Sequence, residues 1–153
     1  MQIISDLIEA HIFRKSGNGI EFLLLKRAEG IAYSSLWQMV TGKIKKDETA
    51  YEAALREIRE ETGLTPEKFW VAPNINSFYD QARDVISNLP VFACRIAADS
   101  VVKLSDEHCE YQWTKPEIAK GLLAWPGQKK SVDIITEYFS KEGSILKFIE
   151  IML

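Results

Sequence analysis

The segment Gly42–Leu64 reads GKIKKDETAYEAALREIREETGL, and the rest of the chain is interpreted around it. Its second half carries three glutamates, Glu57, Glu60 and Glu61, at positions i, i+3 and i+4. An α-helix places such residues on one side, so the three carboxylates are predicted to be neighbours. Like charges at i and i+4 destabilise an isolated helix by roughly 0.2–0.5 kcal/mol per pair. The pattern is therefore costly for a helix with a purely structural role.

The three acids are predicted to border the buried side of this helix, whereas Glu52, Arg56 and Arg59 point the other way. A carboxylate at a buried edge is costly without a partner, and a divalent cation would satisfy it. Oxygen ligands with no cysteine or histidine nearby in the sequence suit Mg²⁺ or Mn²⁺ better than Zn²⁺. The alternative is a solvated surface helix laced with salt bridges. The predicted buried arc consists of Ala50, Tyr51, Ala54, Leu55, Ile58 and Thr62.

The flanks of the helix favour the metal-binding interpretation. Asp47 or Glu48 is predicted to cap the start of the helix, and Gly63 occupies the C′ position at its end. The segment also fits the pattern G-x5-E-x7-R-E-U-x-E-E-x-G-U, in which U is a bulky apolar residue. Nine fixed positions in 23 residues make an accidental match improbable. The matching residues are Gly42, Glu48, Arg56, Glu57, Ile58, Glu60, Glu61, Gly63 and Leu64.

This pattern resembles the Nudix box, the signature of the Nudix hydrolases. The resemblance implies an α+β fold, an α/β/α sandwich with a central mixed sheet, and cleavage of a nucleoside diphosphate linked to another moiety with Mg²⁺ or Mn²⁺. It implies that Glu57 and Glu61 are the main metal ligands, with Glu60 and the carbonyl of Gly42 completing the set. Arg56 and Glu48 would orient the cluster by pairing across the loop and helix. Metal ions of this kind neutralise charge on pyrophosphate oxygens and acidify the attacking water.

Composition predicts one globular domain over residues 1–153, with the box at residues 42–64. The chain is 46% hydrophobic and 27% charged, which is typical of a globular protein with a core. A net charge of −3 argues against a surface that coats nucleic acid, since such domains are usually basic. No signal peptide and no run of about 20 apolar residues is present, so no membrane association is expected. Cys94 and Cys109 do not form a disulfide framework, which favours the cytoplasm.

Hydrophobic periodicity predicts strands around a single inserted helix, followed by helices near the C-terminus. Ser16–Gly19 is a hairpin signal between the first two strands. The apolar run at residues 144–153 is predicted to be a terminal strand or helix packed on the same domain; the alternative is a homodimer contact. The predicted strands cover residues 3–14, 20–27, 36–40, 69–80, 85–97 and 110–113, and the predicted helices cover residues 48–62, 115–122 and 128–140.

Three further segments resemble the Nudix branch that contains dihydroneopterin triphosphate and dATP pyrophosphohydrolases. They are Trp37–Gly42, Asn88–Phe92 and Ser105–Trp113, and the W-Q-x-V-T-G entry into the box is the most specific of them. In this branch the glutamate before the histidine of E-H-x-x-Y-x-W reaches toward the metal site, which makes Glu107 the candidate general base. Glu110 is its rival. His108 is expected to be a structural or hydrogen-bonding residue.

Substrate binding requires cations for the phosphates and a flat surface for a ring. Arg27 is preferred to Lys26 as the phosphate ligand, because adjacent strand residues face opposite sides. Lys43 is a second phosphate candidate, with Lys129 and Lys130 as alternatives. Trp37 is the first choice for ring stacking. Tyr79, Phe78 and Trp125 are also available, and a tyrosine near position 79 also occurs in diadenosine polyphosphate hydrolases of the family.

The sequence therefore predicts a Mg²⁺-dependent pyrophosphohydrolase that acts on a nucleoside triphosphate or dihydroneopterin triphosphate and releases pyrophosphate and the monophosphate. An enzyme alternative is hydrolysis of a diadenosine polyphosphate or a nucleotide sugar. A non-catalytic nucleotide sensor is a third hypothesis, and the intact set of acids disfavours it.

Overall fold

The structure is a computed structural model that describes residues 1–153. The longest helix has 15 residues, and none of the helices is both long and apolar enough to cross a lipid bilayer. The strands are β1 (Gln2–Ile4), β2 (Leu7–Ser16), β3 (Gly19–Arg27), β4 (Trp37–Gln38), β5 (Val40–Lys43), β6 (Lys68–Asp80), β7 (Val85–Arg95), β8 (His108–Thr114) and β9 (Ile149–Ile151). The helices are α1 (Ala50–Thr62), α2 (Pro116–Leu122) and α3 (Pro126–Ser140).

The nine strands form one mixed sheet, which confirms the predicted fold class. The central order is β4-β3-β2-β7-β6-β9, and β1, β5 and β8 pair with β7, β2 and β3, respectively. β2 and β7 are parallel, whereas β2 and β3 form the predicted antiparallel hairpin. Residues 81–84 form the predicted break, here the turn between antiparallel β6 and β7.

Alternating side chains of the central strands build one core on each face of the sheet. On β2, Ile8, Ala10 and Ile12 belong to the core that packs against α1. Phe13 belongs to the opposite core, which packs against α2 and α3. Successive strand residues point to opposite faces, so each strand serves both cores. The result is a layer of helix, a sheet and a second layer of helices.

The first predicted strand is interrupted at Ser5 and Asp6. β1 pairs with Val85–Ser87 of β7, whereas β2 pairs with a later stretch of the same strand that begins at Val91. The Ser5 hydroxyl donates to the carbonyl of Asn88, which lies between the two paired stretches. The chain therefore changes its partner on β7 at this point, and periodicity along a single strand does not reveal such a change.

The apolar C-terminal run packs on the protein's own sheet. Ile149–Ile151 forms β9 against Phe69–Val71 of β6, and Phe148 is buried in the core beneath α3. This is the predicted terminal strand. Ile145, Met152 and Leu153 remain exposed, and a homodimer through this region stays a prediction.

Candidate metal and catalytic site

α1 places the three acids at graded depths beside the sheet. Ala53, Ala54 and Ile58 are fully buried and anchor one side of the helix in the core. Glu61 follows at 3% exposure. The Glu57 side chain is 15% exposed and that of Glu60 is 53% exposed. The acids thus run from the core to solvent across one edge of the helix.

The start of α1 is capped by Thr49, so the prediction of Asp47 or Glu48 as the cap was wrong. The Thr49 hydroxyl accepts a hydrogen bond from the backbone of Glu52, and the Glu52 carboxylate accepts one from the backbone of Thr49. This reciprocal pair is a capping box. The Glu48 carboxylate instead accepts hydrogen bonds from Arg56. Gly63 ends the helix as predicted, with a φ of 69°.

Arg56 forms hydrogen bonds with both the loop and the helix of the box. Its guanidinium donates to both oxygens of Glu48 at 2.7 and 2.9 Å, and to the Glu57 carboxylate at 2.7 Å. It also donates to Glu60 at 3.2 Å and to the carbonyl of Lys43 at 2.9 Å. The helical wheel had pointed Arg56 away from the acids, but its long side chain folds back to them. Its hydrogen bonds lower the pKa of Glu48 to about 2.

Gly42 lies against the Glu57 side chain. It sits on β5, paired with Ile8 of β2. A Cβ at position 42 would overlap the Glu57 carboxylate and the carbon that precedes it. The absence of a side chain at Gly42 therefore leaves room for Glu57 beside the loop, and any larger residue would displace the Glu57 carboxylate.

We expect Gly42→Ala to reduce hydrolysis by at least about 10-fold, because the displaced Glu57 side chain would be off its productive position. The measurement is kcat together with the midpoint of metal titration. Gly121→Ala is the matched control, since a Cβ at Gly121 meets nothing within 4 Å. Wild-type activity in Gly42→Ala would contradict the assigned contact.

The structure brings Glu61, Glu107 and His108 together from distant parts of the sequence. One ligand atom from each of the three lies within 4.8 Å of the others. The carbonyl of Glu107 accepts a hydrogen bond from Ala28 at 2.9 Å, which fixes the turn that precedes β8. No histidine lies near the three acids in the sequence, but the pairing of β8 with β3 brings His108 beside Glu61 in the fold. Imidazole nitrogen and carboxylate oxygen thus share one site.

Burial and mutual repulsion make the acid cluster unfavourable when it is fully charged. Burial raises the pKa of Glu61 to about 9, and the adjacent Glu107 carboxyl and the charge of Glu57 add to this effect. Burial also raises the pKa of Glu57, although Arg56 opposes it. The site therefore favours a cation that compensates for its negative charge.

The residues present fit a divalent metal ion. The Oε2 atom of Glu61 is buried and has no hydrogen-bond partner. Glu57 offers a second carboxylate that is partly buried, and Glu60 is more exposed. Gly42 lies against the Glu57 side chain. Such hard oxygen donors match Mg²⁺ or Mn²⁺. Their roles as metal ligands stay a prediction from the box.

Arg27 and Lys26 are adjacent at the end of β3, where the pairing with β8 shifts register between them. The positive charge of Arg27 opposes the rise in the pKa of Glu61, which indicates that Arg27 lies near the acid cluster. Its Nε donates to the carbonyl of Ala32. Lys26 instead lies 3.7 Å from the exposed carboxylate of Glu110. This pairing separates Glu110 from the cluster that contains Glu107.

The other predicted substrate residues lie on three different strands, β4, β5 and β6. Trp37 is half-buried and packs against the core on the α3 side, with Lys26 at 6.0 Å from its ring centroid. Lys43 is exposed next to the box, and its carbonyl accepts from Arg56. Tyr79 is exposed and donates to Asp84 at the β6–β7 turn. Their substrate roles stay predictions.

A buried polar pair on β2 was missed from the sequence. Glu9 and His11 are 0% and 1% exposed, and their side chains lie 2.7 Å apart. Asn76 and Ser131 donate to the same carboxylate at 2.9 Å. Although burial opposes it, hydrogen bonding from His11, Asn76 and Ser131 lowers the pKa of Glu9. Two polar residues at alternate positions of an otherwise apolar strand could have indicated this buried pair.

Comparison with known proteins identifies the family. The NUDIX domain profile matches residues 9–136, which is most of the chain, so the chain belongs to the Nudix family. Together with relatives named as a tetraphosphatase and a nucleoside triphosphatase, this defines it as a Nudix hydrolase of nucleoside diphosphate-linked substrates. Members of the family generally use a divalent metal ion.

Individual relatives carry different activities in their names. The chain is 29% identical to a mouse asymmetrical bis(5′-nucleosyl)-tetraphosphatase, over 82% of this chain and 86% of the relative. It is 30% identical to the nucleoside triphosphatase NudI of Escherichia coli, over 63% of this chain and 74% of the relative. It also matches an octanoyltransferase of Myxococcus xanthus at 28% identity over 76% of this chain, but spans only 33% of that protein.

A solved structure supports the fold. The dihydroneopterin triphosphate pyrophosphohydrolase of Escherichia coli aligns with a TM-score of 0.70 and 20% identity, over 86% of this chain and 94% of that one. At this identity the likeness concerns the architecture alone. The branch within the family is therefore not resolved by these comparisons.

Proposed function

We propose that the protein is a Mg²⁺-dependent pyrophosphohydrolase that cleaves a nucleoside triphosphate or dihydroneopterin triphosphate between the α and β phosphates. The products are the monophosphate and pyrophosphate. The observation that carries this proposal is the convergence of Glu57, Glu61 and Glu107 at one partly buried site. The similarity to NudI and the W-Q-x-V-T-G entry at Trp37–Gly42 support a triphosphate substrate.

In this proposal the residues divide between ion binding and proton transfer. Glu57 and Glu61 would hold the ion, with Glu60 and the Gly42 carbonyl at its rim, while Arg56 keeps Glu57 and Glu60 in place. When bound, the ion would neutralise charge on the phosphate oxygens and acidify the attacking water. Glu107 accepts the proton of that water. Glu107 is preferred to Glu110 because Glu107 lies in the cluster with Glu61, whereas the Glu110 carboxylate pairs with Lys26.

Substrate contacts are proposed from position and charge. Arg27 would contact the phosphates, since it lies near the acid cluster, and Lys43 would approach them from the loop. Trp37 would offer its ring to the base or pterin, and Tyr79 is the weaker candidate. The substrate is a small molecule, and a cytoplasmic location with no nucleic-acid or membrane partner is proposed from charge, cysteine use and composition.

Hydrolysis of a diadenosine polyphosphate is the second candidate function. The similarity to the mouse asymmetrical tetraphosphatase favours it, because the alignment covers 82% of this chain and 86% of that protein. The same acid cluster would serve both reactions, since both cleave a phosphoanhydride. The two candidates differ in the leaving group and therefore in the products.

A product assay separates the candidates. The purified protein is incubated with Mg²⁺ and with a nucleoside triphosphate, dihydroneopterin triphosphate or diadenosine tetraphosphate, and products are resolved by chromatography. We expect pyrophosphate and the monophosphate from the favoured triphosphate. Release of orthophosphate alone would contradict cleavage between the α and β phosphates. Preferential formation of ATP and AMP from the tetraphosphate would establish the second candidate.

A further inference from the structure

Gln38 and His108 form a buried hydrogen bond across strand β3. Gln38 is 8% exposed and His108 is 4% exposed. Gln38 pairs with Leu25 on one side of β3, and His108 pairs with Arg27 on the other. Their side chains meet over β3, with 2.8 Å between the amide nitrogen of Gln38 and the Nε2 atom of His108.

This geometry determines which ring nitrogen carries the proton. An amide nitrogen can only donate a hydrogen bond, so the Nε2 atom of His108 must accept it. A neutral imidazole has one donor and one acceptor, which leaves the proton on Nδ1. The Nδ1 atom is buried, has no hydrogen-bond partner, and belongs to the ring that lies beside Glu61 and Glu107.

We propose that Gln38 is a positioning residue that holds His108 in its Nδ1–H tautomer, so that the ring keeps a free hydrogen-bond donor in the cluster where one of its nitrogens lies within 4.8 Å of the Glu61 and Glu107 carboxyls. A donor at this position favours a charged carboxylate and orients it. Reversal of the tautomer would remove the proton, and with it the donor, from Nδ1. The link to turnover rests on the proposed role of Glu107, whereas the tautomer itself is independent of that role.

The tautomer can be observed directly by ¹⁵N NMR of the imidazole nitrogens in the metal-free protein. The chain has only two histidines, His11 and His108, so His11→Gln assigns the spectrum. We expect a protonated Nδ1 and an unprotonated Nε2 at His108. Gln38→Glu replaces the donor by an acceptor of the same length and should reverse this pattern. Protonated Nε2 in the wild-type protein would overturn the proposal.

Kinetics then test whether the tautomer matters for the reaction. We expect Gln38→Glu and the uncharged Gln38→Met to lower kcat by about 10-fold or more, as for residues that orient ligands in metal sites, with KM changed by less than about 2-fold. Gln112→Met on β8 is the matched control and should keep wild-type kcat. If Gln38→Glu does not fold, the wild-type spectrum tests the tautomer and the kcat of Gln38→Met tests the positioning role.

Failure of the proposed role of Glu107 can be distinguished from failure of the proposed role of Gln38. Full turnover by Glu107→Gln, with His108 still protonated at Nδ1, would remove Glu107 as the base and leave the tautomer assignment standing. Unchanged kcat in both Gln38 variants, with the tautomer reversed in Gln38→Glu, would overturn the positioning role of Gln38 and leave the proposed hydrolysis intact.

Discussion

Glu61→Gln is expected to lower kcat/KM by more than about 100-fold. Residues that merely support metal ligands cost about 10–100-fold when removed, and Glu61 is the most buried carboxylate of the proposed metal site. Glu60→Gln should have a smaller effect, because its side chain is 53% exposed. Steady-state hydrolysis and a metal-binding titration measure both variants.

The same substitution should stabilise the metal-free protein at alkaline pH. Glu61 retains its proton in the folded protein up to about pH 9, whereas a glutamate in the unfolded chain loses it near the ordinary value of 4.5. Between these values the folded state binds the extra proton, so the free energy of unfolding falls as pH rises. Glutamine removes this dependence. A difference of one pKa unit corresponds to about 1.4 kcal/mol, which shifts Tm by roughly 3 °C or more in a protein of this size.

Melting curves with a chelator at about pH 5 and pH 8 test this expectation. The Tm of Glu61→Gln relative to wild type should rise from the lower to the higher pH. Glu117→Gln is the control, because that side chain is 85% exposed and lies on α2. Wild-type turnover in Glu61→Gln would refute its role as a metal ligand, and parallel melting curves would refute the burial of its charge.

Glu107→Gln is expected to lower kcat by about 10²–10⁴-fold, the range in which general acid and base groups contribute. Glutamine keeps the shape of the side chain but cannot accept the proton of the attacking water. Metal affinity should change far less than turnover, because the carboxylates of Glu57 and Glu61 remain. Single-turnover rates and the midpoint of a Mg²⁺ titration separate the two effects.

Glu110→Gln provides the matched control for this prediction. Glu110 lies three residues further along, and its carboxylate contacts Lys26 at the surface. We expect its turnover to remain within about 2-fold of wild type, as surface ion pairs contribute little. A large loss of kcat in Glu110→Gln with none in Glu107→Gln would make Glu110, and not Glu107, the general base.

Local patterns were sufficient for much of the fold. The hairpin at Ser16–Gly19, the α1 helix with its stop at Gly63, and the break after Asp80 each depend on residues close in sequence. The residue that caps the start of α1 was predicted incorrectly. Thr49 caps the helix, whereas the Glu48 carboxylate is held by hydrogen bonds from Arg56. That outcome involves contacts across the loop and lies beyond capping preferences.

The family, the mixed sheet between helices and the three acids on one helix edge could be predicted from the sequence, because helical spacing and the box are local properties. The depth at which each acid is buried, and the residues from other strands that join them, depend on the folded arrangement. Glu107 and His108 reach Glu61 because β8 pairs with β3, and Gln38 reaches His108 across the same strand. Strand pairing is set by contacts distant in sequence, and burial then sets the charge that each group can carry.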